Sequence, residues 1–132
     1  MKLKILLLTV LTAASTALGA TNLGEIMKGM SKDLKLVGQQ ISKPELNASS
    51  LAALRNMQSL ISQGINEVPE KVAGAPDQEA QVVEYKKAMT HLLETVRLME
   101  DALVNNDNAK AAALMEKLGE IRKAGHEKFK KP

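Results

Sequence analysis

From residue 21 onward the apolar residues recur at alternating steps of three and four, the spacing that lines one face of an α-helix. Leu23, Met27, Met30, Leu34, Val37 and Ile41 form the first stripe. Asn22 and Glu25 stand in a capping-box arrangement at its start, so the segment predicts an amphipathic helix of about five turns. Ser42-Lys43-Pro44-Glu45 ends it, because the residue before a proline is pushed out of the helical region. A second helix, beginning between Glu45 and Ser50, carries Leu51, Leu54, Met57, Ile61 and Ile65 on its buried side. The stretch from Asn66 to Asp77 holds Pro69, Gly74 and Pro76 and is the longest break, a loop with room for a short turn. Val82, Tyr85, Met89, Leu92, Val96, Met99 and Leu103 then make the longest uninterrupted stripe, with Asp77 as its expected cap. After the polar turn Asn105-Asn106-Asp107-Asn108, a fourth segment aligns Ala111, Leu114, Met115, Leu118, Ile121, Arg122, Gly125, His126 and Phe129. It runs into Lys128, Lys130 and Lys131, cations that suit a helix C-terminus.

Four amphipathic helices of similar length joined by mostly short connections pack most simply as an all-α, antiparallel up-down-up-down four-helix bundle. No strand-like alternation, tandem repeat or glycine-rich phosphate loop interrupts this pattern. The first twenty residues follow different rules. Lys2 and Lys4 precede an apolar run from Ile5 to Leu11, and small residues lead to Ala17-Leu18-Gly19-Ala20, which is the form of a secretory signal peptide. The apolar run is shorter than the ~20 residues a spanning helix needs. The expected domains are therefore a signal segment at 1–20, cleaved after Gly19 or Ala20, and an exported bundle at 21–132.

Composition narrows the chemistry. Of 132 residues only Tyr85 and Phe129 are aromatic, while seven are methionine, so the core is aliphatic and thioether. The absence of cysteine removes disulfides, thiolate metal sites, cysteine nucleophiles and covalent haem attachment through CxxCH. The formal charge of +3 includes Lys2 and Lys4; without them sixteen basic residues face fifteen acidic ones. That balance gives no reason to expect nucleic acid or an anionic membrane surface as partner.

In an up-down-up-down bundle the start of the first helix and the end of the fourth lie side by side. Met27 is about five residues into the first and His126 about five from the end of the fourth, so both stand ~7.5 Å from the same face of the bundle. A planar group between these helices could take a thioether from one side and an imidazole from the other, and Met/His is an axial pair for haem iron. Met30, the next core position on the first helix, is the rival donor, and a methionine in a helix stripe is more often a gap filler than a ligand.

The segments Asn22-Leu23-Gly24-Glu25-Ile26-Met27 and Arg122-Lys123-Ala124-Gly125-His126-Glu127-Lys128-Phe129 resemble the ligand-bearing ends of the cytochrome b562 family, small periplasmic four-helix proteins that bind one non-covalent b-type haem. The resemblance covers essentially the whole chain after the export segment. It implies Met27 and His126 as axial ligands of one haem b per chain. It also implies Tyr85 and Met89 at two positions, one turn apart on the third helix, that are aromatic in the family and face the haem. Met57 falls where the second helix brings a methionine near the haem, and Arg122 matches a basic residue one turn before the ligand histidine. Two departures are visible: Met89 replaces an aromatic wall, and Gly125 stands where a tyrosine usually precedes the histidine. Arg122, Lys123 and Lys130 are candidates to meet the haem carboxylates, or else are solvated charges complementing the helix dipole.

Ligation from both sides leaves no vacant iron position, so the resemblance implies electron transfer between periplasmic redox proteins by a monomer, with no membrane insertion after cleavage and no enzymatic activity. No ExxH pair, HExxH motif or Ser/His/Asp ordering argues for catalysis. The competing reading is a haem-free periplasmic helical-bundle interaction or stress protein in which Met27 and His126 only pack. A five-coordinate gas-binding haem protein is a third reading, disfavoured by the missing CxxCH and the available Met27.

Overall fold

The computed structural model describes residues 23–67, 69 and 72–129. Four helices follow in order: α1 (Leu23–Gln40), α2 (Asn47–Gly64), α3 (Gln78–Val104) and α4 (Asn108–Phe129), with a short 3₁₀ turn, Pro44–Leu46, leading into α2. This is the all-α four-helix bundle that the hydrophobic spacing predicts. Asn22, the export segment 1–20, Lys130 and Lys131 lie outside the described residues.

The core is built from Met30, Leu34 and Val37 of α1, Leu54, Met57 and Ile61 of α2, Tyr85, Met89, Leu92, Val96, Met99 and Leu103 of α3, and Ala111 and Leu118 of α4. Several positions differ from the sequence-based stripes. Ile26, 2% exposed, is the first core residue of α1, and Met27 is only half-buried because it is turned about 100° away. On α2 the small residues Ser50 and Ala53 are buried, whereas Leu51 and Ile65 stay at the margin. Val72, in the long break, is fully buried beneath a turn in which its N–H and that of Ala73 donate to the Pro69 carbonyl. Asp77 precedes α3 but makes no side-chain cap; its carboxylate accepts from Gln81 Nε2 at 2.7 Å instead. Asp107 does cap α4, accepting from the Lys110 N–H at 3.1 Å.

Polar groups close the end of the bundle that holds the α1–α2 and α3–α4 connections. Asn108 Nδ2 donates to the Ile41 carbonyl at 2.7 Å and to Asn47 Oδ1 at 3.0 Å, tying the end of α1 to the start of α4. Asn106 turns the α3–α4 connection with φ of 57°, a left-handed conformation that asparagine tolerates. Ser50, wholly buried, donates to Gln40 Oε1 at 3.0 Å. These bonds satisfy groups that would otherwise be costly to bury.

The four helices are not joined equally. Backbones pack closely in the sequential pairs α1–α2, α2–α3 and α3–α4, but not in the pair α1–α4 that completes the perimeter. The inner face of α4 is correspondingly loose: among the residues whose burial is described, Ala111 and Leu118 are buried, while Leu114, Met115, Ile121, Arg122, Gly125 and His126 are half-buried.

Candidate functional site

Beyond the Asn108 link at its closed end, the α1–α4 seam is bridged by Met115 and Arg122, which give its register. Met115 reaches across to Gly38, where a Cβ would stand only 3.1 Å from the methionine Cε. Seven residues on, Arg122 Nη2 donates to Ser31 Oγ at 2.5 Å. The helices are antiparallel, and seven residues back on α1 correspond to seven forward on α4. One further turn, four residues back from Ser31 and four forward from Arg122, reaches Met27 and His126. The two candidate donors therefore share a level, ~6 Å beyond the Ser31–Arg122 bond. Both are half-buried, on the seam rather than in the sealed core. Met30 is 3% exposed and turned into the core instead.

Behind this level stands an apolar wall centred on Gly64. The Tyr85 hydroxyl donates at 2.6 Å to the Gly64 carbonyl at the C-terminus of α2, which also accepts from the Glu67 N–H at 3.0 Å. Burial, reinforced by the nearby charge of Glu67, pushes the Tyr85 phenol up to about 12. Met89 and Ile26 also pack on Gly64: a Cβ there would meet Met89 Cε at 3.0 Å and Ile26 Cγ2 at 3.3 Å, with Leu23 Cδ1 at 3.7 Å. The glycine leaves room for this close approach of α1, α2 and α3; a Cβ would require the Met89 and Ile26 side chains to shift by a few tenths of an ångström. Tyr85 and Met89, 3% and 4% exposed, are thus brought to the Met27 end of the bundle.

Met57, by contrast, lies deeper than Met89. Asn56 Nδ2 donates to Asp33 Oδ2 at 2.7 Å, which puts Met57 opposite Lys32, about five residues or ~7.5 Å further in than Met27. Its 1% exposure makes it part of the inner core. Arg122 is also placed differently from a free surface cation, since it is engaged with Ser31 inside the seam. Lys123 is exposed, and open space surrounds Gly125, where a Cβ would meet nothing within 4 Å. Sequence reasoning missed Ser31 and Gly64. Ser31 had a signal, a small polar residue one turn from Met27 on the same face; Gly64 had none beyond its place at the end of a helix.

These residues suit a flat, apolar, metal-centred group. A soft thioether and an imidazole occupy one level of a loosely packed seam, and the wall behind them is aliphatic and aromatic. The flexible side chains of Met30, Met57 and Met89 can repack around a rigid group at small cost. Among the described residues no cluster of three or more His, Asp, Glu or Cys offers a competing metal site. No helix among them is long and apolar enough to cross a membrane. The family model for cytochrome b562 matches residues 22–130. Neither the curated proteins nor the solved structures yielded a significant match. The matched span is most of the chain, so the chain belongs to the cytochrome b562 family, a haem-binding electron-transfer kind.

Proposed function

We propose that this member of the cytochrome b562 family is an exported electron carrier holding one non-covalent haem b between α1 and α4, with Met27 and His126 as axial donors. The observation that carries this reading is the register of the seam: Gly38 against Met115 and Ser31 against Arg122 continue, one turn on, to Met27 against His126. Export rests on residues 1–20, and residues 21–132 are the mature domain.

When bound, haem supplies a one-electron ferric/ferrous couple. The residues around it set how that couple behaves. A Met27 thioether favours the electron-richer state compared with a second imidazole, and the apolar wall of Tyr85, Met89 and Ile26 disfavours net positive charge, so both raise the potential. Held by both the Met27 thioether and the His126 imidazole, the group would have no open position for a small-molecule substrate. α1 is tied to α4 by Asn108, Met115 and Arg122, which limits movement of the donors between oxidation states. Gly125 leaves an edge of the seam uncovered, where periplasmic redox partners can approach.

The absorption spectrum of the purified exported protein, produced with ample haem and recorded before and after dithionite reduction, tests this reading. Sharp low-spin ferrous bands are expected. A folded helical protein that stays colourless and leaves added haem unchanged would favour a haem-free bundle acting as an interaction or stress protein.

A further inference from the structure

Three of the four large apolar side chains exposed among the described residues, Val83, Leu98 and Val104, belong to α3; the fourth is Leu36. Val83 and Leu98 are 52% and 47% exposed. By helical geometry Val83, Lys87, Thr90, His91, Glu94 and Leu98 fall within about 100° of one another, on the side of α3 turned away from the core. A shallow hollow of about 380 Å³ lies along this face, bordered by Val83, Lys86, Lys87, Thr90, His91 and Glu94. Its charge is polarised, with two lysines toward one end and Glu94 toward the other. Lys87 also meets Glu84 of its own helix at 3.6 Å, an exposed pair too weak to hold the lysine back from a second carboxylate.

We propose that this face is the interface of a weak two-fold dimer, in which α3 packs antiparallel on α3 of a second copy about an axis passing between Thr90 and His91. Two copies meeting through one patch are related by a two-fold axis, so the patch must complement itself. A parallel arrangement would set Lys87 against its own counterpart and Glu94 likewise, which repels. The antiparallel arrangement sets Lys87 opposite Glu94 of the partner subunit, twice by symmetry. The same register brings Val83 level with Leu98 of the partner subunit, covering both exposed apolar side chains on either copy. A single helix face buries less than the ~1,200 Å² of a stable complex, so the dimer forms only at high protein concentration. This goes beyond the monomer that the sequence predicts, because apolar spacing alone does not distinguish a solvated outer face from a weakly paired one. α3 packs on α2 and α4 and not closely on α1, so pairing through its outer side leaves Met27 and the seam uncovered.

Sedimentation equilibrium of the purified protein from micromolar to millimolar concentration tests the proposal. The average mass is expected to rise from one chain toward two, less steeply at high salt. Lys87→Glu and Glu94→Lys should each weaken self-association by about tenfold or more, since each turns two attractive contacts into repulsive ones. An equimolar mixture of these two variants is expected to associate more strongly than either alone, because the carboxylates at positions 87 and 94 of one then meet the ammonium groups at positions 94 and 87 of the other. A mass of one chain throughout, or a mixture that associates no better than its components, would overturn the proposal.

Discussion

Arg122 reaches from α4 to Ser31 of α1, its Nη2 donating to the serine Oγ at 2.5 Å across the perimeter pair of helices that packs least closely. The bond is part-buried and lies one turn inside the level of Met27 and His126, where it links the two helices that carry them. Ser31→Ala removes it while leaving the guanidinium able to find water. The haem-free variant is expected to lose about 1 kcal/mol of unfolding free energy, read from a urea titration. An unchanged midpoint would mean that the bond does not hold the seam.

Tyr85 makes alkaline stability legible. Its folded phenol is raised to about 12, above the ordinary value near 10, so its neutral form is favoured by folding. That contribution is fully present below pH 10 and is lost as pH rises from 10 toward 12. Tyr85→Phe is expected to cost about 1 kcal/mol at neutral pH through the lost bond to the Gly64 carbonyl, and to flatten this alkaline decline. Thermal melts of both proteins across pH 9 to 12 check it; parallel declines would contradict the assignment.

Glu100 acts at the other end of the pH scale. Hydrogen bonds from Arg55 and Gln58, at 2.8 and 2.7 Å, hold its carboxyl below the usual carboxylate range. Folding then favours the ionised form, so the contribution is present above the unfolded value near 4.3 and is lost as pH falls through the lower folded value. Glu100→Gln should reduce the loss of stability between pH 5 and the acid transition, measured by urea unfolding at a series of pH values. An unaltered acid slope would show that this cluster joining α2 to α3 is solvated too well to matter.

Haem removal provides a test by linkage. A ligand that binds only the folded chain adds stability that grows with its concentration over Kd, about 2.7 kcal/mol at a hundredfold excess. The haem-loaded protein is therefore expected to melt higher than the haem-free one, with a midpoint that rises with added haem. Equal melting temperatures would separate haem from the folded state.

The four helices were readable because apolar residues three and four apart can be buried together only on a helix, and each break carried a proline, a glycine or an asparagine run. What escaped was set by tertiary contact. Ile26 and Met27 are neighbours in sequence, and only the approach of α2 and α3 around Gly64 decides that the isoleucine fills the core and the methionine faces the seam. The burial of Val72 within the Asn66–Asp77 loop is not legible in the sequence, because burial beneath a turn leaves no periodic trace. Asp77 has a capping side chain, but Gln81 takes its carboxylate. Among the site residues, Met27 and His126 were legible as a pair because topology puts them at one end. Tyr85 and Met89 were legible only through family resemblance. The commitment of Arg122 to Ser31 depends on helix register, which hydrophobic spacing does not specify.

The axial pair is tested most directly by adding carbon monoxide to the dithionite-reduced protein and following absorption in the wild type, Met27→Ala, Met30→Ala and His126→Ala. The account predicts that wild type and Met30→Ala stay low-spin and unresponsive. Met27→Ala should keep its haem but bind carbon monoxide, and His126→Ala should lose most of its haem. A Met27→Ala protein with an unchanged low-spin ferrous spectrum and no response to carbon monoxide would contradict the assignment of Met27 and His126.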